Sequence, residues 1–297
     1  YKHDLKILPE NILFDVFYML YKENRLCLLG LEFSDLDVFC RMLKVTNKRI
    51  ILLKSFQSLM DHGTRVAKEL ATSYAVRCST CDQMTTTYKD ATIDFGIRLG
   101  GFLSDSGWYS ESEKVLFACK TLCGTLPESP SSLRISLECC HKLLHAQASF
   151  SQLEVAEGTR NFARLLVQKL LSAGETINLA GLYTEFSLHS FLKSNYDEAF
   201  QWSVRAIDEL NSNVSTRVTI DTLSQASKAC VIKRNFNKAG ILVRQAVYLA
   251  RETYGSRHPK YADTLLAYGF YLLNSDSIKH SVMIYEDALQ LKKKFIW

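Results

Sequence analysis

Helix breakers are scarce in this chain: 4 prolines and 13 glycines in 297 residues fall below the roughly 5% and 7% of average chains. Long stretches are left uninterrupted, and the fold class they predict is all-α. No run of about 18 uncharged apolar residues occurs, which argues against a membrane-spanning helix, and the opening Tyr-Lys-His-Asp has no hydrophobic signal segment. Charge of one sign is lacking as well. The 36 basic residues are interspersed with 31 acidic ones, for a net charge of +5. No arginine-rich stripe or base-stacking motif accompanies them, so the balance does not argue for nucleic acid. Lys292, Lys293 and Lys294 read as a solvated helix face.

Catalytic signatures are missing too. There is no phosphate-cradling glycine loop, no Gly-x-Ser-x-Gly and no His-Glu-x-x-His, and His189, His258 and His280 lack a local nucleophile or carboxylate. A non-catalytic protein without cofactor is the expectation. Nine cysteines, an odd number without a signal segment, suggest reduced and mostly buried thiols in the cytoplasm or nucleus. The Cys-x-x-Cys at Cys78 and Cys81 has no second pair at zinc-finger spacing. Cys139, Cys140 and His141 are helical neighbours that project about 100 degrees apart, a poor arrangement for one ion, so no metal is expected.

What the chain does contain is a recurring phrase: an aromatic residue, two spacers, an alanine, and a second alanine seven positions later. It reads Tyr196, Ala199 and Ala206, then Phe236, Ala239 and Ala246, and in weaker form Ile278, Ser281 and Ala288. The period is 40 and then 42 residues, too long for one helix and the mark of stacked two-helix units. The alanines let the second helix of each unit approach its neighbours closely, while the aromatic fills the gap beside the turn. An earlier copy fits the same frame: Leu99 and Gly100, then Gly107, Trp108 and Tyr109, with Ser112 and Cys119 in the small positions. Between Ser112 and Ala199 there is room for about one further unit, with helices expected around Leu137–Leu144 and Phe162–Leu171. Such a stack is a surface for holding other proteins.

These residues resemble the tetratricopeptide repeat. The long spacing, and Tyr254 to Pro259 leading into Tyr261 and Ala262, resemble the extended form found in kinesin light chains. The first 60 residues differ, being densely apolar without the alanine pattern. Pro9 suits a first helical turn, after which Leu8, Ile12 and Val16 stand at i, i+4 and i+8 on one face. A second helix is expected from about Glu32 or Asp35 to Val45, with Ser34 as N-cap. Two regions follow from this contrast: 1–60, an N-terminal helical docking or cap region, and 61–297, the repeats.

Leu8, Ile12 and Val16 are similar to the elongin C-binding box of cullin-2 and cullin-5 substrate receptors. Longer stretches, at 8–12, 59–63, 100–110, 225–231, 246–251 and 258–274, resemble one family of tetratricopeptide-repeat substrate receptors of cullin-2 RING ubiquitin ligases. The resemblance implies docking through elongin B and elongin C, and recognition of C-terminal degrons containing glycine and arginine. It also implies links to microtubules and to the cytoplasmic tail of the amyloid precursor protein, hence a cytoplasmic, nuclear or cytoskeleton-associated location. Since Tyr1 is no initiator and Trp297 follows a second helix directly, the repeats are expected to be truncated at the C-terminus.

A partner's tail would lie along the first helices of the repeats. Counting back from Ala239 and Ser281, the inward positions are Asp221, Ser224, Gln225 and Lys228 in one unit and Asp263, Leu266, Phe270 and Asn274 in the next, with Thr184, Glu185 and Leu188 in the unit before. Lys228 and Asn274 are expected to meet a terminal carboxylate, and Glu185, Asp221 or Asp263 an arginine of the peptide. Two alternatives use the same scaffold. A cargo adaptor in microtubule-based transport would hold internal peptide segments in the groove, and a purely structural scaffold would bind folded partners on the convex face.

Overall fold

A computed structural model describes residues 2–23, 25, 30–45, 49–59, 65–81 and 84–296. Of the stretch at 59–63, all but Leu59 lies outside the described residues, as does Cys27. Among the described residues every regular element is helical, and the chain forms two compact units, Tyr1–Glu175 and Thr176–Trp297.

The first unit begins with α1 (Lys2–Ile7) and α2 (Glu10–Lys22), then a 3-10 turn (Gly30–Ser34), α3 (Leu36–Leu43), α4 (Arg49–Ser58) and α5 (Val66–Thr80). Two local details differ from the sequence reading. Pro9 is the N-cap of α2 rather than part of its first turn, so Leu8 sits in the break between α1 and α2. Asp35, not Ser34, caps α3: its carboxylate accepts from the Asp37 N–H at 3.0 Å and the Val38 N–H at 3.2 Å, which a serine already committed to the 3-10 turn cannot do. The Arg41 guanidinium of α3 donates to the carbonyls of Lys6, at 2.6 Å, and Leu8, clamping that break onto α3.

The rest of the unit is α6 (Thr86–Asp105), α7 (Tyr109–Cys123), α8 (Pro130–Ser149) and α9 (Leu153–Ser172). An aromatic cluster joins α6 to the N-terminal helices. Phe102 meets Phe56 edge-on at 5.0 Å and Phe39 at 5.7 Å, and the Trp108 indole N–H donates to the Phe56 carbonyl at 2.9 Å. Phe17, Phe33, Phe39, Phe56 and Phe102 are all buried in this one core.

The second unit consists of α10 (Ala180–Leu192), α11 (Tyr196–Asp208), α12 (Thr216–Ile232), α13 (Phe236–Tyr254), α14 (Pro259–Asn274) and α15 (Ile278–Ile296). Consecutive helices pair as α10 with α11, α12 with α13 and α14 with α15, and the first helices α10, α12 and α14 pack side by side. The result is the all-α tetratricopeptide-type stack read from the sequence.

Both units make their helix-to-helix turns alike. In all five turns the residue two before the second helix has positive φ: Gly107 at 90°, Ser151 at 60°, Ser194 at 59°, Arg234 at 57° and Asp276 at 61°. One residue further on, an N–H donates to a carbonyl five positions back, as from Trp108 to Leu103 and from Asn235 to Cys230. This closes each first helix with a Schellman motif. A close contact between the paired helices is fastened by serine. Ser112 donates to the Gly100 carbonyl at 2.7 Å and Ser281 to that of Gly269 at 2.8 Å. In the α10–α11 and α12–α13 pairs the direction is reversed, Ser187 donating to the Ala199 carbonyl at 2.8 Å and Ser227 to that of Ala239 at 2.9 Å.

The unit expected between Ser112 and Ala199 is the α8–α9 pair. Its phrase is Leu153, Ala156 and Ala163, with both alanines fully buried. It escapes an aromatic-led search because a leucine stands at the head of the helix.

Candidate protein-binding groove

Helix α12 is nearly engulfed by its neighbours. From Asp221 to its end, all residues are buried except Asp221, Ser224, Lys228 and Ile232, which recur at i, i+3, i+7 and i+11 and therefore form one open stripe. The 40- and 42-residue periods carry the stripe onto both flanking helices. Gly181, Asp221 and Asp263 occupy equivalent positions, as do Thr184, Ser224 and Leu266, then Leu188, Lys228 and Phe270, and finally Leu192, Ile232 and Asn274. Phe270 of α14 also meets Phe191 of α10 edge-on at 6.3 Å, so aromatic rings line this end of the face.

The candidate residues differ in what they offer a ligand. Asp221 is ion-paired with Lys260 of α14, and Asp263 with Lys292 of α15 at 2.7 Å. Lys228 makes no hydrogen bond or ion pair to a described residue. Burial pushes its pKa below the ordinary lysine range, and the fields of Asp263 and Asp221 only partly restore it. One turn earlier, the Ser224 hydroxyl is buried without a hydrogen-bond partner. The Asn274 amide is exposed and donates to the Phe270 carbonyl at 2.8 Å.

Glu185 and Gln225 lie inside the helix packing rather than on the open stripe, at 8% and 6% exposure. The Gln225 amide donates to Ser187 Oγ at 3.3 Å, and the hydroxyls of Thr184 and Thr222 hydrogen-bond at 2.7 Å. These contacts knit α10 to α12. The sequence reading missed Lys260 and Lys292, which neutralise the two aspartates, and Phe191. The 40-residue repeat aligns Phe191 with Val231, a buried position, so periodicity carried no signal for it.

At the N-terminus, Leu8 and Val16 are half-buried and pack against the core of the first unit. Ile12 is 48% exposed, and Ile7 of α1 and Met19 of α2 are also open. Of the three box-like residues, Ile12 is thus the one standing free.

No group of three or more histidine, cysteine or acidic side chains among the described residues is arranged to hold a metal ion. Seven of the eight described cysteines are buried, and burial pushes the Cys78 thiol up to about 11 and the Cys140 thiol up to about 12. Cys78 and Cys140 are therefore protonated at neutral pH and poor nucleophiles, whereas hydrogen bonding from Cys119 and Cys139 lowers the Cys123 thiol.

No protein-family model matches the chain. Among solved structures, two of Podosopora anserina kinesin-light-chain proteins with nearly identical TPR-like repeats align with 16% identity over 67% of this chain, at TM-scores of 0.46 and 0.44 and covering 93% and 94% of those chains. Among curated proteins, amyloid protein-binding protein 2 of Rattus norvegicus is 48% identical over 292 residues, 98% of this chain, and that of Mus musculus is 47% identical over the same length. The chain spans about half the length of these relatives. Over nearly all of its own length, then, it is a homologue of amyloid protein-binding protein 2.

Proposed function

We propose that this chain is the substrate-recognition adaptor of a cullin-2 ubiquitin ligase, docking elongin B–elongin C through its N-terminal helices and holding target tails against the α10–α12–α14 face. The observation that carries the recognition half is the register of that face. Apart from buried Thr184, three successive first helices present equivalent open positions one repeat apart, which is the geometry needed to track an extended segment. The face mixes apolar positions (Leu188, Ile232, Phe270) with charged ones (Asp221, Lys228, Asp263), as a surface for a polypeptide requires.

The docking half is supported by open Ile12, Ile7 and Met19, near a break held to α3 by Arg41 and by the Lys6–Asp35 ion pair at 2.9 Å. Leu8 and Val16 are partly committed to the chain's own core, so docking relies on Ile12 and on the exposed portions of the other two. In this role the protein contributes position. It raises the effective concentration of a target lysine near the charged conjugating enzyme, and the bond-making chemistry belongs to the partners. The name of the relatives is consistent with capture of an amyloid protein segment in the same groove.

The test is co-elution of the chain with elongin B–elongin C on size-exclusion chromatography, beside a Leu8→Ser/Ile12→Ser variant that remains helical by circular dichroism. Complex formation lost only in the variant supports the ligase reading. Absence of a wild-type complex, with motor proteins recovered instead, replaces it with the transport-adaptor reading.

A further inference from the structure

We propose that Cys123 of α7 is a peroxide-reactive thiol that, once oxidised, closes a reversible disulfide with Cys139 of α8. The site lies within the first unit and stands apart from the groove reading. Cys119 and Cys123 are one turn apart on α7, and Cys139 reaches them from α8, which packs alongside. All three are buried, Cys123 at 4% exposure and the other two at 0%, and their thiols are in mutual hydrogen-bond contact.

The three sulfurs have different roles. Cys119 Sγ donates to the Ile93 carbonyl at 3.5 Å and Cys139 Sγ to the Leu116 carbonyl at 3.3 Å. Both carbonyls lie inside helices and already receive an intrahelical N–H, so each S–H can turn to the Cys123 sulfur when that sulfur carries charge. Hydrogen bonds from Cys119 and Cys139, with a further one from Ser136 of α8, hold the Cys123 thiol below its ordinary range against the burial that pushes it up. The carboxyl end of α7 also disfavours a thiolate, and the three donors offset it. Helix geometry then selects the disulfide partner. Residues i and i+4 hold their Cβ atoms about 5–6 Å apart, beyond the roughly 3.5–4.5 Å of a disulfide, so Cys119 is a donor and Cys139 the resolving thiol. Cys140 projects about 100 degrees away from Cys139, and burial pushes its thiol up to about 12, which keeps it reduced.

The oxidant is hydrogen peroxide. Cys123 is the last residue of α7, beside a turn whose residues 124, 125, 127 and 128 are exposed, and fraying of the final helical turn admits a molecule of that size. The thiolate sulfur attacks one peroxide oxygen: the S–O bond forms, the O–O bond breaks, and hydroxide leaves with a sulfenic acid on Cys123. Cys139 gives its proton to that hydroxide, and its sulfur attacks the sulfenic sulfur. The S–S bond forms as the S–O bond breaks, and the departing hydroxide takes up the proton that Cys123 released on ionising. In sum two thiols are oxidised and one peroxide is reduced to two waters. The bridge ties α7 to α8 across their turn.

The test uses the whole chain, reduced, exposed to hydrogen peroxide, quenched with catalase and alkylated with N-ethylmaleimide in urea. Trypsin places Cys119 in residues 115–120, Cys123 in 121–134, and Cys139 with Cys140 in 135–142. Expected by mass spectrometry is a cross-link between 121–134 and 135–142 that dithiothreitol removes and that persists in Cys140→Ser. In Cys139→Ser it is replaced by a dimedone adduct on 121–134, and in Cys119→Ala it forms at least threefold more slowly. The oxidised chain should also show a raised urea midpoint that dithiothreitol reverses. Cys123 alkylated as fully as Cys78 after peroxide, a cross-link to 115–120, or a dimedone adduct on the unmodified chain with no cross-link overturns the proposal. So does the same cross-link forming as fast in the urea-unfolded chain, since the reactivity would then owe nothing to the fold. The unmodified chain decides by itself where a variant does not fold.

Discussion

Two glycines on helices of the first unit should respond to alanine with opposite sign. A Cβ built on Gly100 of α6 would lie 2.4 Å from Leu116 Cγ and 2.6 Å from its Cδ2. Leu116 is fully buried, so it cannot swing away without disturbing the α6–α7 contact that Ser112 fastens. Overpacking of this kind costs about 1–3 kcal/mol, against a helix-propensity gain of about 1 kcal/mol for replacing glycine. The balance for Gly100→Ala is a loss on the order of 1 kcal/mol. On α9, Gly158 is exposed, and a Cβ there would meet nothing within 4 Å. Gly158→Ala should therefore gain close to the full propensity difference, about 1 kcal/mol. Urea unfolding followed by far-UV circular dichroism reads both as midpoint shifts at unchanged slope. If Gly100→Ala stabilises as much as Gly158→Ala, the close helix crossing that defines the repeat is refuted at this position.

Other perturbations follow from the same packing. Ala239→Leu places three extra carbons in a fully buried helix contact and should destabilise the second unit by about 1–3 kcal/mol, measurable as a lowered urea midpoint. Lys228→Met removes a poorly solvated charge and should stabilise the fold, read as a raised urea midpoint. The folded state depresses this lysine's pKa, so its charge burdens the fold fully below the folded-state pKa and progressively less above it. The gain from methionine should accordingly be greatest below that pKa and shrink as pH rises through it, in parallel urea melts. Arg41→Ala releases the Lys6 and Leu8 carbonyls, and hydrogen exchange in α1 should accelerate while α6 and α7 keep their protection.

The repeats were legible because their signature is a packing requirement. Small residues at Ala199, Ala206, Ala239 and Ala246 are forced by the close approach of helices, and that need shows in the sequence as a period. The α8–α9 repeat was half-hidden because Leu153 performs the filling role of an aromatic, so the alanines Ala156 and Ala163 stood without their usual herald. The turns were less legible. A Schellman motif needs positive φ at one residue, yet Ser151, Ser194, Arg234 and Asp276 adopt it without glycine, and only Gly107 could be read in advance.

Asp221, Ser224 and Lys228 stand on the open stripe of α12, whereas Glu185 and Gln225, one position off it, turn into the packing. Pairing between helices was invisible. Nothing near Asp221 or Asp263 in sequence announces Lys260 or Lys292, since those partners arrive only when α14 and α15 stack. The state of Lys228 was likewise a property of the assembled repeats, because burial and the engagement of its neighbouring aspartates depend on three helices at once.

The central claim is that the α10–α12–α14 face is where this protein holds its partners, and a selection from a library of random peptides with free C-termini tests it most directly. Affinities of the selected peptides are measured by fluorescence polarisation for the unmodified chain, for Leu188→Ser and Phe270→Ser on the groove, and for Ile241→Ser and Tyr248→Ser on the exposed side of α13, all checked for retained helicity. The account predicts that the groove variants lose at least tenfold in affinity and the α13 variants less than twofold. Loss confined to the α13 variants, with groove variants binding as the unmodified chain does, would contradict it and place recognition on the opposite face of the repeats.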